Sequence, residues 1–306
     1  MVSGDVTKPL FDRAVLESGA LFSVYNIPSL VQAGFDALVA AVGCSGQTPV
    51  LDCLRKVPAQ KLFDSAAAAG VSYLPAVDGK YVKEQQQVAL SKGQIYKIPV
   101  LVLDNNDEGT YFTTYITSQD DVNALIDSFT LLPADNTQAK QIYTAANFGS
   151  PIAAVANFFG DIVFKCPDIQ LVRTLTAAGV AAFKGRFSIK PTINLAAGDA
   201  FFSVIGVYHT AEMPFVWNYN PSLNQTNYEK SISQKMINTW SDFFAGSPFP
   251  GLLTAGINWP TYDSTGKRLV WSSTGTSVET VPSDLKSRCD FWDAANLRFS
   301  SANNKL

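Results

Sequence analysis

Charge, histidine and long apolar runs are all scarce in this chain of 306 residues. Charged residues make up 16% of it and the net charge is −3, so no basic surface favours binding to nucleic acid or to an anionic membrane. No apolar run reaches the ~18 residues that a transmembrane helix needs. Residues 1–6 lack the basic and apolar regions of a signal peptide, which taken alone indicates a cytoplasmic protein.

Motifs of metal and cofactor chemistry are missing as well. The sequence has no Gly-rich phosphate loop, no Walker motif, no zinc-type Cys/His spacing and no H-E-x-x-H. The segment from Asp104 to Gly109 looks like the start of a calcium-binding EF-hand loop, but Tyr115 stands at the twelfth position, where a bidentate carboxylate is required. The sequence therefore predicts neither a metal site nor a cofactor.

The residues that are present predict a large packed core. The chain is 47% hydrophobic and 12% aromatic, a composition that excludes disorder. Its length fits one large domain or two ordinary ones. Since no internal repeat or low-complexity linker interrupts it, we predict one continuous domain over residues 1–306.

Hydrophobic periodicity predicts alternating strands and helices, and hence an α/β fold. Strands are predicted at 14–16, 98–103, 183–189 and 268–272, with a further strand-like run at 200–207. Helices are predicted at 28–42, 57–69, 119–129, 137–146, 152–159, 167–182, 226–244 and 283–294, and loops at 73–94 and 248–260.

Two polar residues that follow apolar runs are candidates for a functional site. Glu108 lies in a polar loop just after the buried strand at 98–103, and open α/β sheets place working residues at the carboxyl ends of their strands. His209, the single histidine, follows the run at 200–207. A lone histidine is more often structural or merely exposed. The order acid then histidine is, however, that of the α/β-hydrolase triad, in which the nucleophile comes first.

The nucleophile of such a triad is missing from the sequence. It should stand in a G-x-S-x-G elbow upstream of the acid. Ser18 precedes a glycine, but Leu16 stands where the first glycine is needed, and Ser45 lacks the final glycine. Ser247 comes after the histidine and is followed by proline. We find no other candidate.

Four motifs, spread along the chain, together resemble the type-B carboxylesterases and lipases, the family that includes the cholinesterases and fungal lipases. Residues 9–19 resemble the family's P-L-F-x-x-A-I-x-Q-S-G segment, and residues 106–112 resemble its acid motif, N-x-D-E-G-x-x-F. Residues 206–212 resemble G-x-x-H-x-x-E/D, and residues 259–262 resemble W-P-x-Y.

The resemblance implies an α/β-hydrolase fold and carboxylic ester hydrolysis by a Ser-Glu-His triad, without a cofactor. It makes Glu108 the acid and His209 the base. Ser18, at a strand end, is either a hydrogen-bond partner of Glu108 or a simple turn residue. The resemblance also implies two disulfides, Cys44–Cys53 and Cys166–Cys289.

The family's chains are longer, so the resemblance implies an incomplete fold: the C-terminal portion of one domain, without the first strands, the oxyanion loop and the nucleophile elbow. We therefore expect the isolated chain to be inactive. The substrate would be a small-molecule or lipid ester. The parent protein would be extracellular, as the disulfides and the glycosylation sequence Asn224-Gln225-Thr226 suggest.

Two other interpretations remain open. The chain is alternatively a non-catalytic, serine-less esterase-like module for binding or adhesion, although such a module needs neither Glu108 nor His209. It is alternatively an unrelated α/β fold that happens to bury a histidine and a carboxylate, which the cysteine positions disfavour.

Overall fold

A five-stranded sheet forms the centre of the protein. The computed structural model describes residues 7–8, 10–21, 28–71, 75–129, 132–192, 200–218 and 226–302. The strands are β1 (Ala14–Glu17), β2 (Val100–Asn105), β3 (Ala182–Ser188), β4 (Lys267–Ser272) and β5 (Gly275–Thr280), in the spatial order β1-β2-β3-β4-β5. The first four are parallel, and β5 pairs antiparallel with β4. Helices connect the parallel strands, as crossover connections require, so the predicted α/β fold is confirmed.

The helices fall into three groups along the chain. Before β2 come α1 (Pro28–Ala41), α2 (Val50–Leu54), α3 (Ala59–Ala68) and α4 (Gln86–Ser91). Between β2 and β3 come a 3₁₀ helix (Glu108–Tyr111), α5 (Gln119–Ser128), α6 (Pro133–Ile142), α7 (Ala145–Phe148), α8 (Pro151–Gly160), a π-helical segment (Asp161–Lys165) and α9 (Cys166–Ala177). After β3 come α10 (Ala200–Val204), α11 (Met213–Val216), α12 (Asn227–Phe244), α13 (Leu252–Ala255) and α14 (Ser283–Ala302). Within these described ranges, no helix is both long and apolar enough to cross a membrane.

The sheet separates two hydrophobic cores. Every residue of β2 is buried, and alternate side chains along a strand point to opposite faces. Val100 and Val102 accordingly join a core that includes residues of α8, α9 and α14, whereas Leu101 and Leu103 join a core that includes residues of α11 and α12. A strand covered on both sides reads as a continuous apolar run, which is why the sequence reveals it.

Both disulfides expected from the resemblance are present. Cys44–Cys53 closes a loop with a sequence separation of 9 and lies in a small third core under α1 and α3. Cys166–Cys289 has a sequence separation of 123 and joins α9 to α14 inside the first core. The second bridge therefore fixes the C-terminal helix against the helix that precedes β3.

Three predicted segments are wrong, and the sequence does not predict one strand. The loop predicted at 73–94 contains α4, because Val88, Ala89 and Leu90 are buried and the helix contacts α14. The strand-like run at 200–207 is the short helix α10. The loop predicted at 248–260 contains the short helix α13, which contacts α12. The strand predicted at 268–272 is confirmed as β4, but the strand β5, which folds back onto it, is not predicted. Each error comes from a short segment whose conformation depends on a distant neighbour, which local periodicity does not report.

Several boundaries also differ from the sequence prediction. β2 continues through Asp104 and Asn105 instead of ending before the polar residues. The helices predicted at 152–159 and 167–182 are joined by the π-helical segment into one continuous helical run. This run ends at Ala177, five residues before the predicted end. Asn224 and Gln225 of the glycosylation sequence lie outside the described residues.

Candidate active site

Glu108 is fully buried at the carboxyl end of β2. It begins the 3₁₀ helix that follows the strand, and its side chain has no solvent exposure. Its Oε1 accepts a hydrogen bond from the backbone N–H of Asn105 (2.6 Å) and one from Ser18 Oγ (2.6 Å). Its Oε2 lies 2.8 Å from Nδ1 of His209. Because both oxygens have partners, the carboxylate is held in one orientation.

His209 lies next to Glu108 because two loops are bonded together. Asp107 accepts a hydrogen bond from the backbone N–H of Val207 at Oδ2 (2.8 Å) and donates its own N–H to the carbonyl of Val207 (3.0 Å). Thr110 Oγ1 donates to the carbonyl of Ile205 (2.7 Å). These bonds join two segments about a hundred residues apart in sequence and place the imidazole over the carboxylate.

Two aromatic rings pack against the imidazole. The ring centroids of Phe164 and Phe112 lie 4.7 Å and 5.3 Å from that of His209. The histidine side chain keeps 25% of its surface exposed. An ionised carboxylate only accepts hydrogen bonds, so Nδ1 carries the proton and Nε2 is left as the basic nitrogen. Apart from Glu108, no described residue hydrogen-bonds the ring.

The acid loop packs closely on α8 because Gly109 has no side chain. A Cβ atom at Gly109 would lie 1.9 Å from the carbonyl oxygen of Ala156. The π-helical segment that continues α8 carries Phe164, one of the rings against the histidine. The glycine that follows Glu108 in the motif thus lets the acid approach the helix that supports the base.

Ser18 meets Glu108 directly. Its backbone adopts the left-handed conformation, with φ of 55°. This turn at the end of β1 points Oγ toward the carboxylate. The same oxygen also accepts a hydrogen bond from Asn105 Nδ2 at 3.3 Å. The structure thus brings Ser18, Glu108 and His209 together at the carboxyl ends of β1 and β2.

Glu212 is a further site residue to which sequence reasoning gave no role. It is buried, and Asn105 Nδ2 donates a hydrogen bond to its Oε2. Burial is the main reason that the pKa of Glu212 rises from 4.5 to about 7; the bond from Asn105 lowers the pKa and the charge of Glu108 raises it. A sequence signal for Glu212 exists, because it is the last residue of the G-x-x-H-x-x-E/D pattern.

A buried ionic cluster lies beside the acid strand. Lys184 of β3 donates to Asp104 Oδ2 (2.7 Å), to Asp168 Oδ2 of α9 (3.4 Å) and to the carbonyl of Gly185 (3.0 Å). Burial raises the pKa of Asp168 well above its usual range, because it outweighs the charge of Lys184, which lowers that pKa. Lys184 thus lies between two buried carboxyl groups, of which that of Asp104 is the nearer. No sequence signal showed this cluster, because its members come from three separate elements.

In the part of the chain that the structure describes, no group of three or more His, Cys, Asp or Glu side chains could hold a metal ion.

Comparisons with known proteins agree with this geometry. A model of the Carboxylesterase family matches residues 1–292. Lipase 4 of Diutina rugosa is 24% identical over 296 residues, covering 85% of this chain and 49% of that protein. The crystal structure of Aspergillus niger EstA superposes with a TM-score of 0.81 at 22% identity, covering 98% of this chain and 62% of that one.

These matches show the family and the fold. The likeness to EstA confirms the α/β-hydrolase architecture, and the chain spans about half the length of the curated relative it matches. The family match covers nearly all of the sequence. This chain, with its buried glutamate held against its only histidine, belongs to the carboxylesterase family.

Proposed function

We propose that Glu108 and His209 are the acid and the base of a Ser-Glu-His triad that hydrolyses carboxylic esters. The observation that carries the proposal is the 2.8 Å contact between His209 Nδ1 and the fully buried Oε2 of Glu108. A buried carboxylate that fixes the tautomer of a partly exposed imidazole is the arrangement that nucleophile activation requires.

Each group then has a defined task. Nε2 of His209 takes the proton from a serine hydroxyl as that oxygen attacks the ester carbonyl, and it later gives a proton to the leaving alcohol. Glu108 stabilises the imidazolium that forms between these steps. Ser18 and the N–H of Asn105 keep the carboxylate aimed at Nδ1, so they are positioning residues.

The serine itself is not among the 306 residues, which contain no G-x-S-x-G. We propose that residues 1–306 are the C-terminal portion of one carboxylesterase domain. The nucleophile elbow and the oxyanion hole would then come from a further N-terminal portion of that domain. The match to a lipase supports a small-molecule or lipid ester as the substrate of the whole protein. Its two disulfides support an oxidising, extracellular location.

A chimaera tests the assignment. Residues 1–306 are joined to the N-terminal portion of a family member that carries the elbow, and turnover of p-nitrophenyl butyrate is measured. We expect activity that falls by about 10⁴-fold or more in His209→Ala, and by a comparable order in Glu108→Ala. Lys61→Gln, an exposed change on α3, is the matched control and should leave turnover unchanged.

The isolated chain gives two further tests. It should not hydrolyse p-nitrophenyl butyrate; turnover that disappears in His209→Ala would show that the chain holds its own nucleophile. Because His209 is the only histidine, its Nδ1–H should give one strongly downfield proton resonance by NMR, lost in Glu108→Ala. A folded chimaera that keeps this resonance but is inactive would favour the non-catalytic binding module.

A further inference from the structure

A cavity of about 270 Å³ lies between β3, β4, β5 and the start of α14. Its charged lining consists of Lys165, Arg186, Arg268, Glu279, Asp284 and Arg288. Four cations and two carboxylates leave two positive charges in excess. Asp161, which pairs with Arg288 (2.6 Å), reduces that excess to one without removing it. The cavity therefore favours an anion.

Part of the positive charge is already used by ion pairs. Arg186 makes two hydrogen bonds to Glu279, both of 2.9 Å, and one to Asn106 Oδ1 of 2.7 Å. Arg288 donates from Nε and Nη1 to Asp161 and Asp284. These two arginines are held in place by their partners. They line the cavity, but most of their hydrogen-bond donors are already used within the protein.

Two other cations keep donors that the protein does not use. Arg268 has a side chain only 4% exposed and donates from Nε to Glu279 Oε1 at 2.7 Å; across the described ranges its Nη atoms have no recorded acceptor. Lys165 ends the π-helical segment, and within the same ranges its ammonium has neither a recorded ion pair nor a hydrogen bond. Both residues line the cavity, so these donors are available to a ligand that enters it.

The cavity lies at the side of the sheet formed by β3, β4 and β5, whereas β1 stands at the opposite edge. The helix α14 is 20 residues long, and its first turn contributes Asp284 to the lining, so the positive end of a long helix dipole adds to the field there. Asp284 takes up part of that potential itself.

We propose that this cavity binds a small phosphate-class oxyanion through Lys165 and the Nη atoms of Arg268. Guanidinium and ammonium donors match the tetrahedral oxygens of phosphate, and the remaining excess of one positive charge favours an anion over a neutral ligand. The volume admits a phosphate group with some water, since one liquid water occupies about 30 Å³. Neither Glu108 nor His209 lines the cavity, and the proposal does not depend on ester hydrolysis.

Equilibrium dialysis with inorganic phosphate, at ionic strength held constant with chloride, tests the proposal. The 306-residue chain should bind one phosphate saturably, and Lys165→Gln should weaken binding by about tenfold. Lys61→Gln, on exposed α3, should bind as the wild type does. Absence of saturable binding, or equal affinities for wild type and Lys165→Gln, would overturn the proposal, as would equal weakening by Lys61→Gln.

Chemical protection gives a second readout that needs no variant. Phosphate should slow acetylation of Lys165 by acetic anhydride, followed by mass spectrometry of its peptide, while Lys61 should be acetylated at the same rate with and without phosphate. Equal rates at Lys165 would contradict the site. Glycerol 3-phosphate decides the source of the ligand: stronger protection than by phosphate assigns the cavity to the phosphate of a larger molecule, and weaker protection assigns it to the free ion.

Discussion

Asn105 connects the two buried glutamates of the site. Its backbone N–H bonds Glu108, and its side-chain amide bonds both Ser18 and Glu212. Glu108 accepts hydrogen bonds from Ser18 and Asn105 and contacts His209, whereas burial is the main cause that raises the pKa of Glu212 to about 7. One asparagine thus bridges two carboxyl groups whose surroundings differ.

Glu212 should make stability depend on pH. Its folded pKa of about 7 lies above the ordinary 4.5, so the folded state binds more protons between these values and stability falls as pH rises from 4.5 to 7. Glu212→Gln should remove that loss, worth about 3 kcal/mol at most. Urea unfolding from pH 4 to pH 8 measures it. The prediction fails if wild type and variant lose stability in parallel over this range.

Gly206 should be needed for the placement of His209. Its φ is +71°, and a Cβ there would lie 2.4 Å from Asp107 Oδ2, the atom that accepts the N–H of Val207. Gly206→Ala should therefore cost more than the roughly 1 kcal/mol of backbone strain alone, and it should weaken the downfield His209 resonance.

Gly149→Ala is the matched control for that change. Gly149 also has a positive φ, of +86°, but a Cβ there meets nothing within 4 Å. Urea unfolding should show the smaller loss for Gly149→Ala, with the histidine resonance unchanged. Equal losses in the two variants would mean that the contact with Asp107 does not matter.

At the scale of elements, Lys184 joins β2, β3 and α9 through one buried ammonium. Asp104 and Asp168, its partners, are separated from it by 80 and 16 residues in sequence. Burying a charge without a partner is costly. Lys184 therefore requires a carboxylate at position 104, near the carboxyl end of β2 and just before the acid loop.

Removing the ammonium should therefore be strongly destabilising. Lys184→Met should lower the free energy of unfolding by about 3–5 kcal/mol, because Asp104 keeps a buried charge without its cation. The double variant Lys184→Met/Asp104→Asn removes that charge and should regain part of the loss. Guanidinium unfolding compares the three proteins, and a double variant less stable than the single one would contradict the explanation.

At the scale of the whole molecule, the two disulfides have different consequences. Cys166–Cys289 joins helices on one face of the sheet across a sequence separation of 123, whereas Cys44–Cys53 spans a separation of 9. Since cross-linking stabilises by limiting the unfolded chain, the longer loop should contribute more.

Paired alanine variants test this difference. Cys166→Ala/Cys289→Ala should cost about 5 kcal/mol and Cys44→Ala/Cys53→Ala about 2.5 kcal/mol in the chain-entropy model. Unfolding free energies under non-reducing conditions measure both. The reverse order would show that local packing, more than loop entropy, sets the contribution of each bridge.

The sequence by itself predicted Glu108 and His209 as site residues and determined the elements with strong local patterns. The buried strand at 98–103, the long helix at 226–244 and the acid and histidine motifs are all local signals, since a period of 2 or 3.6 and a short motif are properties of neighbouring residues. The family resemblance rested on the same local matches, and its disulfide pairs are present in the structure.

Only the tertiary structure decided the geometry of the contacts between distant residues and the contacts for which no motif exists. Lys184 alternates with apolar neighbours as a solvent-facing residue would, yet it is fully buried because two aspartates surround it. The 2.8 Å contact of Glu108 with His209 spans 101 residues, and α4 and β5 form because partners far along the chain cover or pair with them. Such contacts depend on how the sheet brings its strand ends together, a property that no window of sequence contains.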